Sequence, residues 1–236
     1  MRSTQRTTIP GLCRISPESK ALLVPQVIAF DLDETMYPRS AGVMQAIGQR
    51  ITLYLEQFMG LTTDEALALR RKHVVDYGTT LRGLQIENSI DSDQYMEFVH
   101  DVPVEDLVHF DPRLDRALES IDAQKIIFTN ASREHAERVL AALGMRRHFA
   151  RIIDVRDADW VCKPHREAYV RLLALLDLPA PRCLLVEDNV RNLRPAAAMG
   201  LTTVLVDAAG DGDAVDFVID EIWQIGAVYQ SLKDAA

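Results

Sequence analysis

Residues 27–38 read VIAFDLDETMYP. Four apolar residues, Val27 to Phe30, run directly into Asp31 and Asp33, with Thr35 two positions further on. An apolar run of this length predicts a strand buried on both faces. The two carboxylates then fall just past its carboxyl end, where open α/β sheets place their ligands. A buried strand gains nothing from two acids at its tip, and paired carboxylates there are costly unless positive charge lies between them. This stretch therefore constrains the rest of the chain: the fold must supply that charge.

The 236 residues are 48% hydrophobic, enough for one large domain or a core with a smaller second unit. Twenty-six basic against 35 acidic residues give a net charge of −9. That balance offers no basic stripe for a nucleic acid polymer, so a small-molecule partner is expected. No apolar run reaches the ~18 residues of a membrane span. Cys13, Cys162 and Cys183 form no even-numbered framework, which fits a reducing, cytoplasmic compartment. Residues 1–24 are expected as a loose extension. Arginines and hydroxyl residues without acids before Glu18 also have the bias of a transit segment, but the stretch lacks the apolar core of a secretory signal.

Tyr37-Pro38 turns the chain, and the pattern then changes period. Val43, Ala46, Ile47, Ile51, Tyr54, Leu55 and Phe58 recur at helical spacing up to Gly60. Thr63-Asp64-Glu65 opens a second helix through Ala66, Leu69 and His73 to about Tyr77. Gly78 and Gly83 are expected to break the stretch YGTTLRGLQIEN, and a short helix follows near 92–100. Residues 39–108 thus read as an all-helical insertion, flanked by α/β segments at 25–38 and 109–236. Asp111 and Pro112 start a helix carrying Leu114, Ala117, Leu118 and Ile121. Strands are then predicted at KIIFTN (125–130), ARIIDV (150–155), RCLLVEDN (182–189) and TTVLVD (202–207). Helices at 132–143, 165–177 and 190–199 separate them. A short DFVI strand and a helix through Trp223 and Leu232 end the pattern. Alternation of this kind predicts a parallel sheet covered on both faces.

Polar residues now mark four strand ends or nearby loops: Asp31 with Asp33, Thr129 with Asn130, Lys163, and Glu187 with Asp188. A doubly wound sheet brings such positions to one edge. A hard divalent cation resolves the repulsion among the acids, and Mg²⁺ also accepts phosphate oxygen. Lysine, a threonine hydroxyl and backbone amides complete a site suited to a phosphate group.

The order DLDET, TN, KP, ED resembles the haloacid dehalogenase-like hydrolase superfamily over residues 26–207. The resemblance implies a Rossmann-like parallel-sheet core, a helical cap domain over 39–108, Mg²⁺ and a small phosphate ester as substrate, in a monomer or homodimer. Asp31 would be the nucleophile that forms an aspartyl-phosphate, and Asp33 the acid and then the base. Thr129 and the Asn130 amide would hold phosphate oxygens, and Lys163 would stabilise charge. The metal would be held by Asp31, Asp188, Glu187 and the Asp33 carbonyl. The second aspartate sets the chain apart from dehalogenating members, which lack it.

FDLDETMYP, YGTTLRGL and FTNASREHAERVLAALG further resemble the pyrimidine 5′-nucleotidase-like branch. That implies a nucleoside 5′-monophosphate, with Arg82 and Tyr77 of the cap as candidate contacts. His165 and Glu187 depart from the branch's commoner acid after Lys-Pro and its Asp-Asp-Ser. Two alternatives stay open: phosphoglycolate or a sugar phosphate as substrate of a phosphatase or phosphomutase, and a receiver-type phospho-aspartate domain. The latter has about half this length and no use for a large insertion.

Overall fold

The computed structural model describes residues 13–14, 23–206 and 215–235. Seven strands form one sheet: β1 (Cys13–Arg14), β2 (Val27–Phe30), β3 (Gln124–Phe128), β4 (Arg151–Ile153), β5 (Cys183–Glu187), β6 (Thr202–Val206) and β7 (Phe217–Ile219). Their order is β1-β7-β6-β5-β2-β3-β4. The pairings from β7 to β4 are parallel, and β1 adds an antiparallel edge to β7. That edge strand lies inside the segment expected as a loose extension; the rest of 1–22 falls outside the described residues, as does Asp207.

The predicted strand at 27–30 is the centre of the sheet. Phe30 stands opposite Ile127 of β3 and Val186 of β5. Residue 31 therefore emerges between the ends of its two neighbours. Side chains alternate between faces. Ile28, Phe30, Ile127 and Val186 join one apolar cluster; Val27, Ala29, Ile126 and Leu185 join another. An uninterrupted apolar run is what a strand with two covered faces requires.

Ten helices are described. Five follow β2: α1 (Val43–Met59), α2 (Thr63–Tyr77), α3 (Thr80–Asn88), α4 (Ser92–Val99) and α5 (Val104–Leu107). Five belong with the sheet: α6 (Pro112–Glu119), α7 (Arg133–Leu143), α8 (Arg166–Leu176), α9 (Val190–Ala198) and α10 (Ile225–Asp234). Helices α6, α7 and α10 cover the Phe30 face, and α8 and α9 the Ala29 face. Asp111 caps α6 by accepting from Arg113 N, with Pro112 in the first turn. The short α5 has too few residues to show a period of its own.

The helices after β2 bury Tyr54, Leu55, Ala66, Leu81, Leu84, Tyr95 and Met96 together with Val155 and Cys162 from the sheet-side loops. Three further bonds seat them there. Arg191 donates to the carbonyls of Val74 (2.6 Å) and Val75 (3.1 Å), and His165 Nε2 donates to Tyr77 O (2.8 Å).

One expectation is corrected here. Gly83 does not break the chain; it lies inside α3. Thr79 caps that helix by accepting from Arg82 N (3.1 Å). The missing side chain at 83 lets α3 press against His73 of α2, whose ring is fully buried and donates to Glu87 (3.1 Å). A Cβ at position 83 would stand 2.2 Å from His73 Cγ. Helix propensity alone predicts that Gly83→Ala gains about 1 kcal/mol. The contact predicts the opposite sign, a loss of about 1–3 kcal/mol from overpacking. Urea unfolding of Gly83→Ala checks which prevails; we expect a lower midpoint.

Candidate active site

Lys163 is the centre of the site. Its ammonium, 1% exposed, donates to Asp31 Oδ1 (2.6 Å), Glu187 Oε1 (3.0 Å) and Phe128 O (2.9 Å). Burial alone would lower its pKa; the two carboxylates outweigh that and push it up. Asn130 holds the lysine's own backbone. Its Oδ1 accepts from Lys163 N (2.8 Å) and its Nδ2 donates to Lys163 O (3.0 Å). The side chain of Asn130 thus clamps the lysine loop, a use the sequence reading did not foresee.

Glu187 ends β5 with no exposed surface. It accepts from Lys163, from Asn189 N (2.8 Å) and from Asn192 Nδ2. Asp188 is tied to Arg39 (2.6 Å) and to the Thr35 hydroxyl (3.2 Å), which also donates to Asp31 Oδ2 (3.3 Å). Carboxylate oxygens of Asp31, Glu187 and Asp188 lie within 4.8 Å of one another. Burial and the Glu187 and Asp188 charges push the Asp31 carboxyl up, against the pull of Lys163. Burial and Glu187 push Asp188 up against Arg39. Three hard oxygen donors crowded at one strand edge, with the ionisation of Asp31 and Asp188 penalised where they stand, fit a divalent cation of the Mg²⁺ type.

Asp33 has a different environment. Its Oδ1 accepts from Tyr37 OH (2.5 Å) and His135 Nε2 (2.8 Å). Burial would raise its pKa; the field and hydrogen bond of His135, with the bond from Tyr37, outweigh it and lower it. The His135 ring stacks on His100, centroids 4.4 Å apart at 18°. His100 Nδ1 lies 3.0 Å from Ser132 Oγ, and Ser132 caps α7 by accepting from His135 N (3.3 Å). Thr129 is buried beside the lysine loop at the end of β3, and its Oγ1 accepts from Ala131 N (3.0 Å).

The predicted residues Asp31, Asp33, Thr129, Asn130, Lys163, Glu187 and Asp188 therefore converge. Tyr77 and Arg82 are engaged elsewhere. The Tyr77 hydroxyl donates to Glu87 (2.9 Å), and Arg82 donates to Gln85 (3.3 Å), both within the helices after β2. Sequence reasoning missed Tyr37, Arg39, Thr35, His100 and His135. For Tyr37 and Thr35 a signal existed, since each stands four residues after the aspartate it bonds. His135 lies 102 residues from Asp33, and nothing in its helical context announces that contact.

Fold and site define an α/β hydrolytic enzyme with its centre at the carboxyl ends of parallel strands. The chain belongs to the haloacid dehalogenase-like hydrolases, whose family model matches residues 25–200. It is 27% identical over 198 residues to "Phosphate metabolism protein 8" of Saccharomyces cerevisiae; the match takes in 76% of this chain and 61% of that protein. Among solved structures it resembles the L-2-haloacid dehalogenase of Xanthobacter autotrophicus with chloropropionic acid covalently bound. The TM-score is 0.58 at 16% identity, over 88% of this chain and 99% of that one. It also resembles a HAD phosphatase from Thermococcus onnurineus, with a TM-score of 0.56 at 18% identity over 86% and 97% of the two chains. These two likenesses are of fold. No helix among the described residues is long and apolar enough to cross a membrane.

The buried His100 carries a pH signature. Burial first, then the neighbouring His135, push its pKa from 6.5 down to about 3. Below the ordinary imidazole value the unfolded chain binds a proton that the folded chain refuses, so stability falls as pH falls through that window. The slope for one such group is about 1.4 kcal/mol per pH unit. In urea unfolding, His100→Gln is expected to lose less stability than the parent between about pH 6.5 and pH 5.5, because the titration is absent.

Proposed function

We propose that the chain is a Mg²⁺-dependent phosphomonoesterase that works through an aspartyl-phosphate, with nucleoside 5′-monophosphates as substrates. The observation that carries the reading is Asp31 bonded to the buried Lys163 beside the Asp31–Glu187–Asp188 oxygen cluster. A carboxylate nucleophile, a fixed cation and a cation-binding oxygen set are what phosphoryl transfer needs, since it depends on positioning and charge neutralisation.

In the first half, a carboxylate oxygen of Asp31 attacks phosphorus. The O–P bond to Asp31 forms as the bond to the leaving oxygen breaks, and Asp33 gives that oxygen its proton. A phosphate brought beside Asp33 adds negative charge, which favours the protonated form needed at this step. In the second half, water attacks the phosphoryl group, Asp33 takes its proton, and Asp31 is released. In the free site Asp33 is held as a carboxylate, the form that can take that proton. Lys163 stays charged throughout, and Thr129 donates its hydroxyl to a phosphate oxygen. Asp31, Asp188, Glu187 and the Asp33 carbonyl would hold Mg²⁺, which supplies positive charge to the phosphate oxygens.

The nucleotide assignment draws on the YGTTLRGL likeness and on the space beside the site. A cavity of about 750 Å³ opens between α4 and α7, with Phe58, Phe98, His100 and His135 among its walls. That volume suits a nucleoside leaving group, with Phe58 and Phe98 available to its base and charged side chains such as Arg50, Glu97, Arg138 and Arg156 around them. Residues 39–108 would act as the cap that excludes water from the intermediate. Buried free thiols at Cys162 and Cys183 accord with a reducing, cytoplasmic setting.

Phosphate release from a panel of nucleotides, phosphoglycolate and sugar phosphates tests the reading, with Mg²⁺ and with a chelator. We expect nucleotides to lead, chelation to abolish turnover and Asp31→Asn to lower kcat by more than about 10³-fold. Turnover retained by Asp31→Asn would overturn the mechanism. A flat substrate profile would remove the nucleotide assignment alone.

A further inference from the structure

We infer that His135 is a positioning residue that fixes which oxygen of Asp33 handles the proton. The inference rests on the phosphomonoesterase reading above and adds to it a role for a side chain outside the four motifs. Both hydrogen bonds to Asp33, from Tyr37 OH and His135 Nε2, fall on Oδ1. An aspartate carboxylate otherwise turns through a broad torsional well. Two donors on one oxygen stop that rotation and leave Oδ2 as the oxygen presented to the leaving group and then to water.

The surroundings of His135 point the same way. Its side chain has no exposed surface, and its Nδ1 has no hydrogen-bond partner among the described residues. A buried polar atom without a partner is costly, and a phenyl ring would fill the space without that cost. What the imidazole adds is its one ring hydrogen bond, to Asp33. The ring itself is held on two sides. It stacks on His100, which contacts Ser132 Oγ, and Ser132 in turn accepts from the His135 backbone N–H at the start of α7. The stack and the cap fix the ring, and the ring fixes the carboxylate. Misplacing a reacting group by about 1 Å costs about 10²-fold in rate.

The test compares two esters in each variant. An alkyl phosphate, the one hydrolysed best in the panel, needs a proton on its departing oxygen. The p-nitrophenyl ester leaves without one. For the aryl ester kcat/KM stops at release of the phenolate, ahead of water's attack, so it is blind to proton transfer by Asp33. The ratio of the two kcat/KM values also cancels any inactive fraction of enzyme. His135→Phe keeps ring volume and stacking but has no N–H; His135→Gln restores a donor. In His135→Phe we expect the alkyl-to-aryl ratio to fall about 10²-fold, and in His135→Gln to recover most of that loss. If His135→Phe does not fold, Tyr37→Phe removes the other bond on Oδ1 and should lower the same ratio. Equal losses on both esters, or an unchanged ratio, would overturn the role of His135 while leaving the phosphatase standing. If the parent hydrolyses neither ester, the phosphomonoesterase reading fails and takes this inference with it.

Discussion

A lysine ammonium buried among Asp31, Glu187 and the Phe128 carbonyl holds this site together. Each of these groups would be costly to bury alone. Removing one partner of such a set typically costs about 3–5 kcal/mol, because the charge left behind stays out of water. The lysine comes from a loop, and a loop is a poor place to fix a charge. Asn130 makes it a good one by bonding the lysine's backbone on both its N–H and its carbonyl. The neutralisation is also incomplete. Asp188 adds a further carboxylate within 4.8 Å of the other two, and Arg39, half exposed at the rim, answers it only from outside.

The sheet makes this arrangement possible. Because β2 is paired on both sides in parallel, with Phe30 level with Ile127 and Val186, three chain segments leave the sheet at one edge. Asp31, Thr129 and Asp188 are then neighbours although about 100 or more residues can separate them in the chain. A one-residue slip would exchange the side chains of the two apolar clusters, so the close fit of those side chains, and no apolar–polar alternation, holds that register.

The same physics decides what could be read from the sequence. The strands and their acidic ends were legible because a doubly buried strand leaves a continuous apolar run, and two acids at its tip have no other use. Lys163 was legible as the positive charge such a tip requires, and Asp188 as a further acid at a predicted strand end. Gly83 misled because glycine's poor helix propensity is a local property, whereas its place in α3 is set by the His73 ring ten residues away. Asn130 was legible beside Thr129, whereas the bonds of its side chain to the lysine loop were not, because that loop lies 33 residues away in the chain. His135 could not be found at all. Its partner is distant in the chain, and an imidazole in the first turns of an amphipathic helix is ordinary.

The two aspartates of the opening stretch show how neighbours, more than burial, set chemistry. Asp31 and Asp33 are two residues apart, and burial pushes both toward the neutral form. At Asp31 the nearby carboxylates of Glu187 and Asp188 add to that push, and Lys163 cannot cancel it. At Asp33 the neighbours are His135 and Tyr37, and they reverse it. The environments thus diverge, which is how paired carboxyl groups come to take different roles. Asp31 stands where further positive charge would be stabilising; Asp33 is already satisfied as a carboxylate on one oxygen. A cation brought to this site is therefore drawn to the Asp31–Asp188 side by the unneutralised oxygens there. In the proposed reaction the Asp33 side would be left for proton transfer, with Oδ2 as the oxygen that neither Tyr37 nor His135 occupies.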